Sequence, residues 1–444
     1  MHFHRVSVPN KFVTNIRLQQ TKIRRGVSAL RCVDLFSGAG GLSLGLRTAG
    51  LDVVGAFDVW PEAVETYNRN IGDHAHILDL SDVMSAALAV GELRPDVICG
   101  GPPCQDFSKA GLKSEGERAS MVIAFAMIVA LSRTPWFMLE NVRGILESDA
   151  WQTACDILKA HGYGISTSIV DASHYGCGQS RTRAIIIGRR GERDGFLERA
   201  IERAASVEPT TMRDILGDSV GEYVFVRPFK DGQGVRSTRE PCPAVIRTTP
   251  ERAYRRHIET RNPLDPVPAS LVPPLTVEQV ARLQGFPRDW DWSAAGNKRS
   301  TMQMIANAVP SPLAAAIGRI ILERHNGKAE KTDDAFGRWL QKSRGYGGQT
   351  LKNRMSAYTR ARRMLCGREF ATLNDEIAAL QAAAEFDALP KTTRSDLRKA
   401  LKLHAEYRMY QAAEAEKRKE SARKAAESRR KKVPEAEIGL EVAA

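Results

Sequence analysis

An α/β fold built on an open, largely parallel sheet is the class this 444-residue chain predicts, and three observations predict it. Apolar, strand-like runs alternate with helical stretches from residue 31 to residue 188, the rhythm of successive βαβ units. The first run, Arg31-Cys-Val-Asp-Leu-Phe36, stops at Ser37-Gly-Ala-Gly-Gly-Leu42 and passes into a stretch led by Leu42, Leu44 and Leu46, so that strand, glycine turn and helix follow one another. Beyond residue 188 the rhythm lapses, and arginine, proline and short β-like pieces such as Tyr223-Val-Phe-Val-Arg227 take over, which marks a second, smaller domain.

Composition sets the outer limits. Hydrophobic residues make up 43% of the chain and charged residues 26%, ordinary values for a globular protein of more than one domain. The seven cysteines include no CxxC pair, which fits a reducing compartment rather than a disulfide framework, and no metal site is expected. No apolar run reaches about 18 residues, and Met1-His-Phe-His-Arg5 lacks the apolar core of a signal sequence. A cytoplasmic, nucleoid-associated protein without a membrane partner is therefore expected. A formal net charge of +13 favours a polyanionic partner.

In chain order, residues 1–29 form a basic arm carrying Lys22, Arg24 and Arg25, and residues 30–188 form the first part of the main domain. The glycine turn lets backbone amides and a helix N-terminus meet a nucleotide or nucleoside closely, although its spacing is not the dinucleotide GxGxxG. A second strand, Asp52 to Phe57, ends at Asp58, where an acidic side chain reaches ribose hydroxyls in a nucleoside-binding βαβ unit. The helix Pro61 to Asn70 opens on a proline in its first turn. A short strand then delivers Asp79, either an acceptor for an adenine amino group or, more plainly, a turn or N-cap aspartate.

The next strand runs into Gly100-Gly-Pro-Pro-Cys104. Two prolines fix φ ahead of the thiol and two glycines let the backbone crowd a ligand, a loop suited to presenting Cys104 as a nucleophile. A buried small hydrophobe is the plain alternative for such a cysteine. The helix Ala119 to Ser132 is apolar nearly all round and so belongs to the interior. Trp136 to Leu139 reads as a strand that stops at Glu140-Asn141-Val142, and a carboxylate there needs a partner whether its role is chemical or structural. Ile165 to Val170 and Ala184 to Gly188 are two further strands. Ligands of such sheets bind beyond the carboxyl ends of the strands, where the glycine turn, Asp58, Asp79, Cys104 and Glu140 gather.

Residues 189–296 make the smaller domain, in which Arg236, Arg239, Arg247, Arg252, Arg255, Arg256 and Arg261 are interleaved with Tyr254 and His257, a mixture suited to phosphates and bases. Thr276 to Gln284 is helical, and residues 297–326 return to the main domain through a helix, Met304 to Ile321, broken by Pro310 and Pro312. Residues 327–444 are a helical, basic extension. Within it, Lys417 to Lys432 holds nine basic and two acidic residues, a solvated helix or a nonspecific DNA-holding arm. Phe336 through Met364 bears a faint resemblance to small helical DNA-binding domains of recombinases.

Six motifs in order carry a stronger resemblance: Asp34-Leu-Phe-Ser-Gly-Ala-Gly-Gly41, Gly101-Pro-Pro-Cys-Gln-Asp-Phe-Ser108, Glu140-Asn-Val142, Gln179-Ser-Arg-Thr-Arg183, Arg282-Leu-Gln-Gly-Phe-Pro287 and Asn307-Ala-Val-Pro310. Together they resemble the DNA (cytosine-5)-methyltransferases of bacterial restriction-modification systems. The resemblance spans about residues 30 to 325 and implies a Rossmann-like S-adenosylmethionine-dependent domain with a target-recognition domain inserted in it. It implies double-stranded DNA as substrate, S-adenosylmethionine as methyl donor, no metal, and a cognate restriction endonuclease as functional partner.

The resemblance also assigns roles. Carbon 5 of cytosine is a poor nucleophile until the ring is activated by covalent addition. Cys104 is implied to attack carbon 6 while Glu140 holds or protonates ring nitrogen 3. Arg181 and Arg183 are implied to favour the thiolate and steady the base, and Gln105, Ser108 and Asn141 to support the loop. The target base must leave the duplex, at a cost of a few kcal/mol. For the cofactor, Phe36, Gly38, Gly40 and Gly41 match the methionine and adenosine positions, Asp58 with Val59 the ribose, Asp79 with Leu80 the adenine, and Asn307 the methionine end. Three residues depart from the usual pattern: Ala306 for glycine, Asp58 for glutamate and Gly178 for proline. The same chemistry on tRNA, or plain nucleic-acid binding without catalysis, are the competing readings.

Overall fold

The computed structural model describes residues 29–103, 120–228, 232–251, 262–326, 334–365, 367–368, 370, 372–383 and 385–431. Chain order begins β1 (Arg31–Leu35), α1 (Gly41–Ala49), β2 (Asp52–Asp58), α2 (Pro61–Asn70), β3 (Ala75–Ile77), α3 (Val83–Leu93), β4 (Val97–Gly100), α4 (Ser120–Ser132), β5 (Trp136–Asn141), α5 (Asp149–Ala160) and β6 (Tyr163–Asp171). The short β7 (Gln179–Ser180) and the long β8 (Thr182–Arg190) follow. Seven strands form one sheet in the order β3-β2-β1-β4-β5-β8-β6. Helices cover both faces, so β4 and β5 are buried along their whole length and read as unbroken apolar runs rather than alternating ones.

The sheet departs from the expected parallel arrangement on one side. β8 pairs antiparallel with both β5 and β6. The connection from β6 to β8 is too short for a crossover helix, so the chain must turn back and return antiparallel. This also corrects the expected end of β5. Glu140 and Asn141 remain in the strand because β8 supplies partners, Ile185 opposite Glu140 and Ala184 opposite Asn141.

One face of the sheet packs Leu42, Leu46, Trp136, Met138, Ile185 and Ile317 among others, and the other packs Leu35, Ile98, Phe125, Phe137, Leu139 and Ile186. Trp136, Phe125 and Phe137 are fully buried, each able to contribute about 3 kcal/mol by leaving water.

The smaller region contains α6 (Glu198–Ala204), α7 (Met212–Leu216), a two-stranded β9 (Tyr223–Phe225) and β10 (Val235–Ser237), β11 (Cys242–Pro243) and α8 (Val277–Leu283). Its core joins Met212, Val224, Cys242, Val245, Leu283 and Phe286 to Met302 and Ile305 of α9 (Lys298–Asn307). The single broken helix expected from Met304 to Ile321 is two helices, α9 and α10 (Ser311–His325). Pro310 is the N-cap residue of α10 and Pro312 lies in its first turn, where a missing N–H costs nothing. The Lys298–His325 stretch is apolar, and 61% of its most apolar part is buried inside the protein.

Beyond it, α11 (Asp334–Arg344), α12 (Gly348–Met364), α13 (Leu373–Gln381) and α14 (Lys391–Lys431) close a separate core of Phe336, Trp339, Tyr358, Leu380, Phe386, Leu401 and Tyr407.

The contact that aligns the glycine turn with the return of the chain is α1 against α10. At Gly45 an added Cβ would stand 2.3 Å from the Ser311 carbonyl oxygen and 2.5 Å from the Ala314 Cβ. Both neighbours belong to a helix that cannot yield locally. Gly45→Ala therefore forces the helices apart and lowers stability by about 2 kcal/mol, which a urea unfolding curve measures directly.

Candidate active site

The carboxyl ends of the parallel strands β1, β2, β4 and β5 lie along one edge of the sheet. Because β8 is antiparallel, its beginning reaches that same edge, with Ala184 opposite Asn141. Each strand therefore delivers a functional side chain to one place without any long loop.

Glu140, 7% exposed, sits at the centre of this edge. Arg183 of β8 brings its Nε to 2.9 Å from Glu140 Oε1, and both side chains are largely buried. The chain leaving β4 passes directly over the carboxylate: at Gly101 an added Cβ would stand 3.4 Å from Glu140 Oε2. Asn141 then fixes the loop root, its Nδ2 donating to the Pro102 carbonyl at 3.1 Å while its Oδ1 accepts from the Val142 amide at 2.8 Å. Cys104 and Gln105 lie outside the described residues, as do Ser108, Arg252, Tyr254, Arg255, Arg256, His257 and Arg261.

The glycine turn is held by Asp58. Its Oδ2 accepts from the Gly38 amide at 2.8 Å and its Oδ1 from the Trp60 amide at 2.9 Å. Phe36 adopts φ +59, a left-handed conformation that costs a non-glycine residue about 1 kcal/mol or more, and Gly38 and Gly40 continue the turn at φ +52 and +94. At Gly41 a Cβ would meet the Val309 carbonyl oxygen at 2.7 Å, and at Gly101 it would stand 3.6 Å from Val309 Cγ2. Val309 thus lies between the two motifs, and this is how Asn307-Ala-Val-Pro310 joins them. Asn307 itself is exposed and accepts from Gln303 Nε2 at 2.8 Å. Val59 is 65% exposed beside Asp58. Asp79 is an exposed turn aspartate whose Oδ1 accepts from the Ser81 amide at 2.9 Å; the Ser81 side chain first, and this amide second, hold its carboxyl below the usual range. Leu80 buries its side chain in the core and offers a ligand only its backbone.

Arg181 bridges two backbone segments. Its guanidinium donates to the Val245 carbonyl at 3.2 Å and the Ala306 carbonyl at 2.8 Å. It ties the smaller region to the end of α9. Two residues with no assigned role do the same work. Gln179, fully buried, accepts from the Val245 amide at 3.0 Å and donates to the side chain of Gln284. Gln284 donates in turn to the Ile305 and Ala308 carbonyls, both at 2.8 Å. Their one sequence signal is a polar amide inside each of two apolar-flanked motifs. The departure at Gly178 also has a steric cause, since a Cβ there would meet Leu283 Cδ2 at 2.7 Å and Ile215 Cγ1 at 2.8 Å.

Under the glycine turn lies a buried acid. Asp34 Oδ2 accepts from Ser43 Oγ at 2.6 Å, Ser43 Oγ accepts from the Tyr67 hydroxyl at 2.9 Å, and that hydroxyl lies 3.1 Å from His74 Nε2. Burial, aided by the neighbouring Asp58 charge and opposed by the Ser43 hydrogen bond, pushes the Asp34 carboxyl from 3.8 up to about 7.

Two outcomes follow from these environments. Arg183→Met strands a buried carboxylate and lowers stability by about 3 kcal/mol, whereas adding Glu140→Gln to it recovers most of the loss; urea unfolding of the three proteins measures both. For Asp34 the folded pKa lies above the unfolded one, so the folded protein keeps a proton that the unfolded chain releases between about pH 4 and about pH 7. Stability falls as pH rises through that window, by a few kcal/mol at most. Asp34→Asn keeps an acceptor for Ser43 and removes this slope, as unfolding midpoints at pH 5 and pH 8 would record.

Comparison with known proteins agrees with the geometry. A family model described as C-5 cytosine-specific DNA methylase matches residues 30–230 and 226–323. The Type II methyltransferase M.HindV of Haemophilus influenzae is 38% identical over 301 residues, covering 66% of this chain and 96% of that protein. The Type II methyltransferase M.HgiDI of Herpetosiphon aurantiacus is 36% identical over 290 residues, covering 64% of this chain and 92% of that protein. In fold the chain resembles the Dnmt2 methyltransferase of S. pombe, with a TM-score of 0.52 and 21% identity over 67% of this chain and 99% of that one. A match over most of the chain, with motif residues meeting at a single sheet edge, makes this protein a member of the C-5 cytosine-specific DNA methylase family, a DNA cytosine-5-methyltransferase.

Proposed function

We propose that the enzyme methylates carbon 5 of cytosine within a specific double-stranded DNA sequence, through a temporary bond from Cys104 to the base, as the protective methylase of a Type II restriction-modification system. The observation that carries the reading is the Glu140–Arg183 pair lying directly under Gly101, at the root of the loop that bears Cys104.

The residues at the glycine turn suit S-adenosylmethionine. Gly38 faces open space, with nothing within 4 Å of an added Cβ. The hydroxyl of Ser37 is buried with no hydrogen-bond partner among the described residues, an acceptor or donor left for a ligand. Val59 presents an exposed apolar side chain at the rim, beside the Asp58 carboxylate. Phe36, Gly38, Gly40 and Gly41 would hold the methionine and adenosine, Asp58 and Val59 the ribose side, Asp79 and the Leu80 backbone the adenine, and Asn307 the methionine end. When bound, the donor supplies an electrophilic methyl group on a sulfonium.

The chain's own residues prepare the base to receive it. The Cys104 sulfur forms a bond to carbon 6, and the ring electrons move toward nitrogen 3, where Glu140, in its protonated form for this step, supplies a proton or a hydrogen bond. Arg183 keeps Glu140 oriented toward the base. Carbon 5, now an enamine carbon, takes the methyl group, loses its proton, and the carbon–sulfur bond breaks by β-elimination. A stacked base cannot reach the thiol, so the target cytosine has to leave the duplex, and contacts from the smaller region offset the few kcal/mol of unstacking. A restriction endonuclease reading the same sequence would be the functional partner, its cleavage blocked by the new methyl group.

A duplex containing 5-fluorocytosine tests the covalent step, because fluorine cannot leave carbon 5 as a proton does. The wild-type enzyme with S-adenosylmethionine should give a denaturation-resistant protein–DNA adduct, and Cys104→Ala should give none and no turnover. Methyl transfer by Cys104→Ala would sink the assignment. Bisulfite sequencing of DNA from a host expressing the enzyme should show methylcytosine confined to one short sequence context; methylation scattered without context would refute the protective role.

A further inference from the structure

The charge of this protein is unevenly divided. Residues 30–326, which contain the whole family match, carry 33 lysines and arginines against 35 aspartates and glutamates, a net of −2. Residues 334–431 carry 23 against 12, a net of +11 in a chain whose total is +13. Grip on duplex phosphates comes from cations that touch them, and the helical extension holds nearly all of the chain's net positive charge.

Four of its acids are paired with arginines of the same extension. Glu376, fully buried, accepts from Arg362 and, at 3.0 Å, from Arg408. Asp396 takes Arg354 at 2.6 Å, Asp387 takes Arg394 at 3.3 Å and Glu406 takes Arg344. These pairs leave α12 with a face of one sign. The helix contains no acidic residue. Tyr358 and Ala361 face its core, and Gln349, Lys352, Asn353, Ser356, Arg360 and Arg363 are exposed. Their spacing of three and four residues sets them in one stripe along the helix. Lys352, Arg360 and Arg363 make no ion pair with a described residue. α12 follows α11 through the short connection Gly345-Tyr346-Gly347, with Gly345 at φ +66. At 17 residues it extends about 25 Å, enough to follow six or seven base pairs.

We propose that this face of α12 is a second duplex-DNA site, separate from the recognition region, which binds phosphates through Lys352, Arg360 and Arg363 and holds the enzyme on DNA without selecting the target. Gln349, Asn353 and Ser356 add hydrogen-bond donors along the same stripe. The grip lies on α12 rather than only on Lys417 to Lys432, where the long α14 runs on past the core.

The test uses the full-length protein and an alternating adenine–thymine duplex. That duplex contains no cytosine, so its binding is independent of the covalent chemistry and of the outcome of the adduct experiment. Replacing Lys352, Arg360 and Arg363 together by alanine should weaken binding at low salt about tenfold or more and reduce the slope of log affinity against log salt by about 2 to 3. On target DNA the same variant should raise KM and leave kcat at saturating DNA unchanged. The exchange K352R/R360K/R363K should restore both affinity and slope, and Ser356→Glu, which adds an acid without deleting a cation, should weaken binding by itself. An unchanged slope and KM in the alanine variant overturn the proposal. So does equal displacement of the duplex by tRNA, which would assign the face to RNA.

Discussion

A carboxylate set into the end of a sheet strand is tolerated only with a cation against it, and the rest of the site follows from how this chain meets that demand. Removing an ion from water costs several kcal/mol that a close partner must offset. Glu140 finds its partner in Arg183, 2.9 Å away. That contact exists because β8 enters the sheet antiparallel and begins where β5 ends. Had the strand come in parallel, its N-terminal residues would have lain at the opposite edge and Glu140 would have faced the interior alone. The one reversed strand in the sheet thus has a chemical consequence.

The second constraint is that several short motifs, far apart in sequence, must keep fixed mutual positions. Buried side-chain amides and a buried guanidinium provide this, each bonded to backbone carbonyls that hydrophobic packing alone would leave unsatisfied. Gln179, Gln284 and Arg181 connect β7, the end of α8 and the turn after α9 with the segment at Val245. Because these groups have few alternative partners in the core, a shift of any one motif would leave polar atoms unpaired. The network therefore transmits rigidity from the smaller region toward Val309, which lies beside both the glycine turn and Gly101.

Much of the fold was legible in the sequence where periodicity and breakers coincide. The βα alternation, the glycine turn, the helix opening at Pro61 and the fully apolar α4 all reappear where the patterns set them. The failures have physical causes. Strand direction leaves no trace in a residue pattern when both faces are buried, so the antiparallel β8 was invisible until pairing was known. A charged residue reads as a strand terminator and sets the end of β5 too early, whereas Arg183 across the ladder neutralises it. Pro310 and Pro312 suggest a break inside one helix, but they are the start of another. At the site, residue types pointed to Glu140 and Asp58, but that Asp58 also braces its own turn through Gly38 is a matter of backbone placement that only coordinates reveal.

The edge of the sheet that carries the chemistry also limits how DNA can be drawn to it. Asp58, Asp79 and Glu140 belong to this edge, and the family-matched region as a whole is slightly acidic. At physiological ionic strength a charge is screened beyond about 8 Å, so a distant surplus of cations cannot cancel these acids by steering alone. The surplus in the helical extension can act only by touching phosphates, which releases counterions and raises the local concentration of duplex near the site. That requirement favours a rigid, one-signed helix face over a diffuse basic tail, because a preorganised stripe keeps its cations in register with the backbone and spends little side-chain entropy on each contact. Attraction and the proposed chemistry can then be divided between two parts of the chain, leaving the sheet edge free to retain its carboxylates.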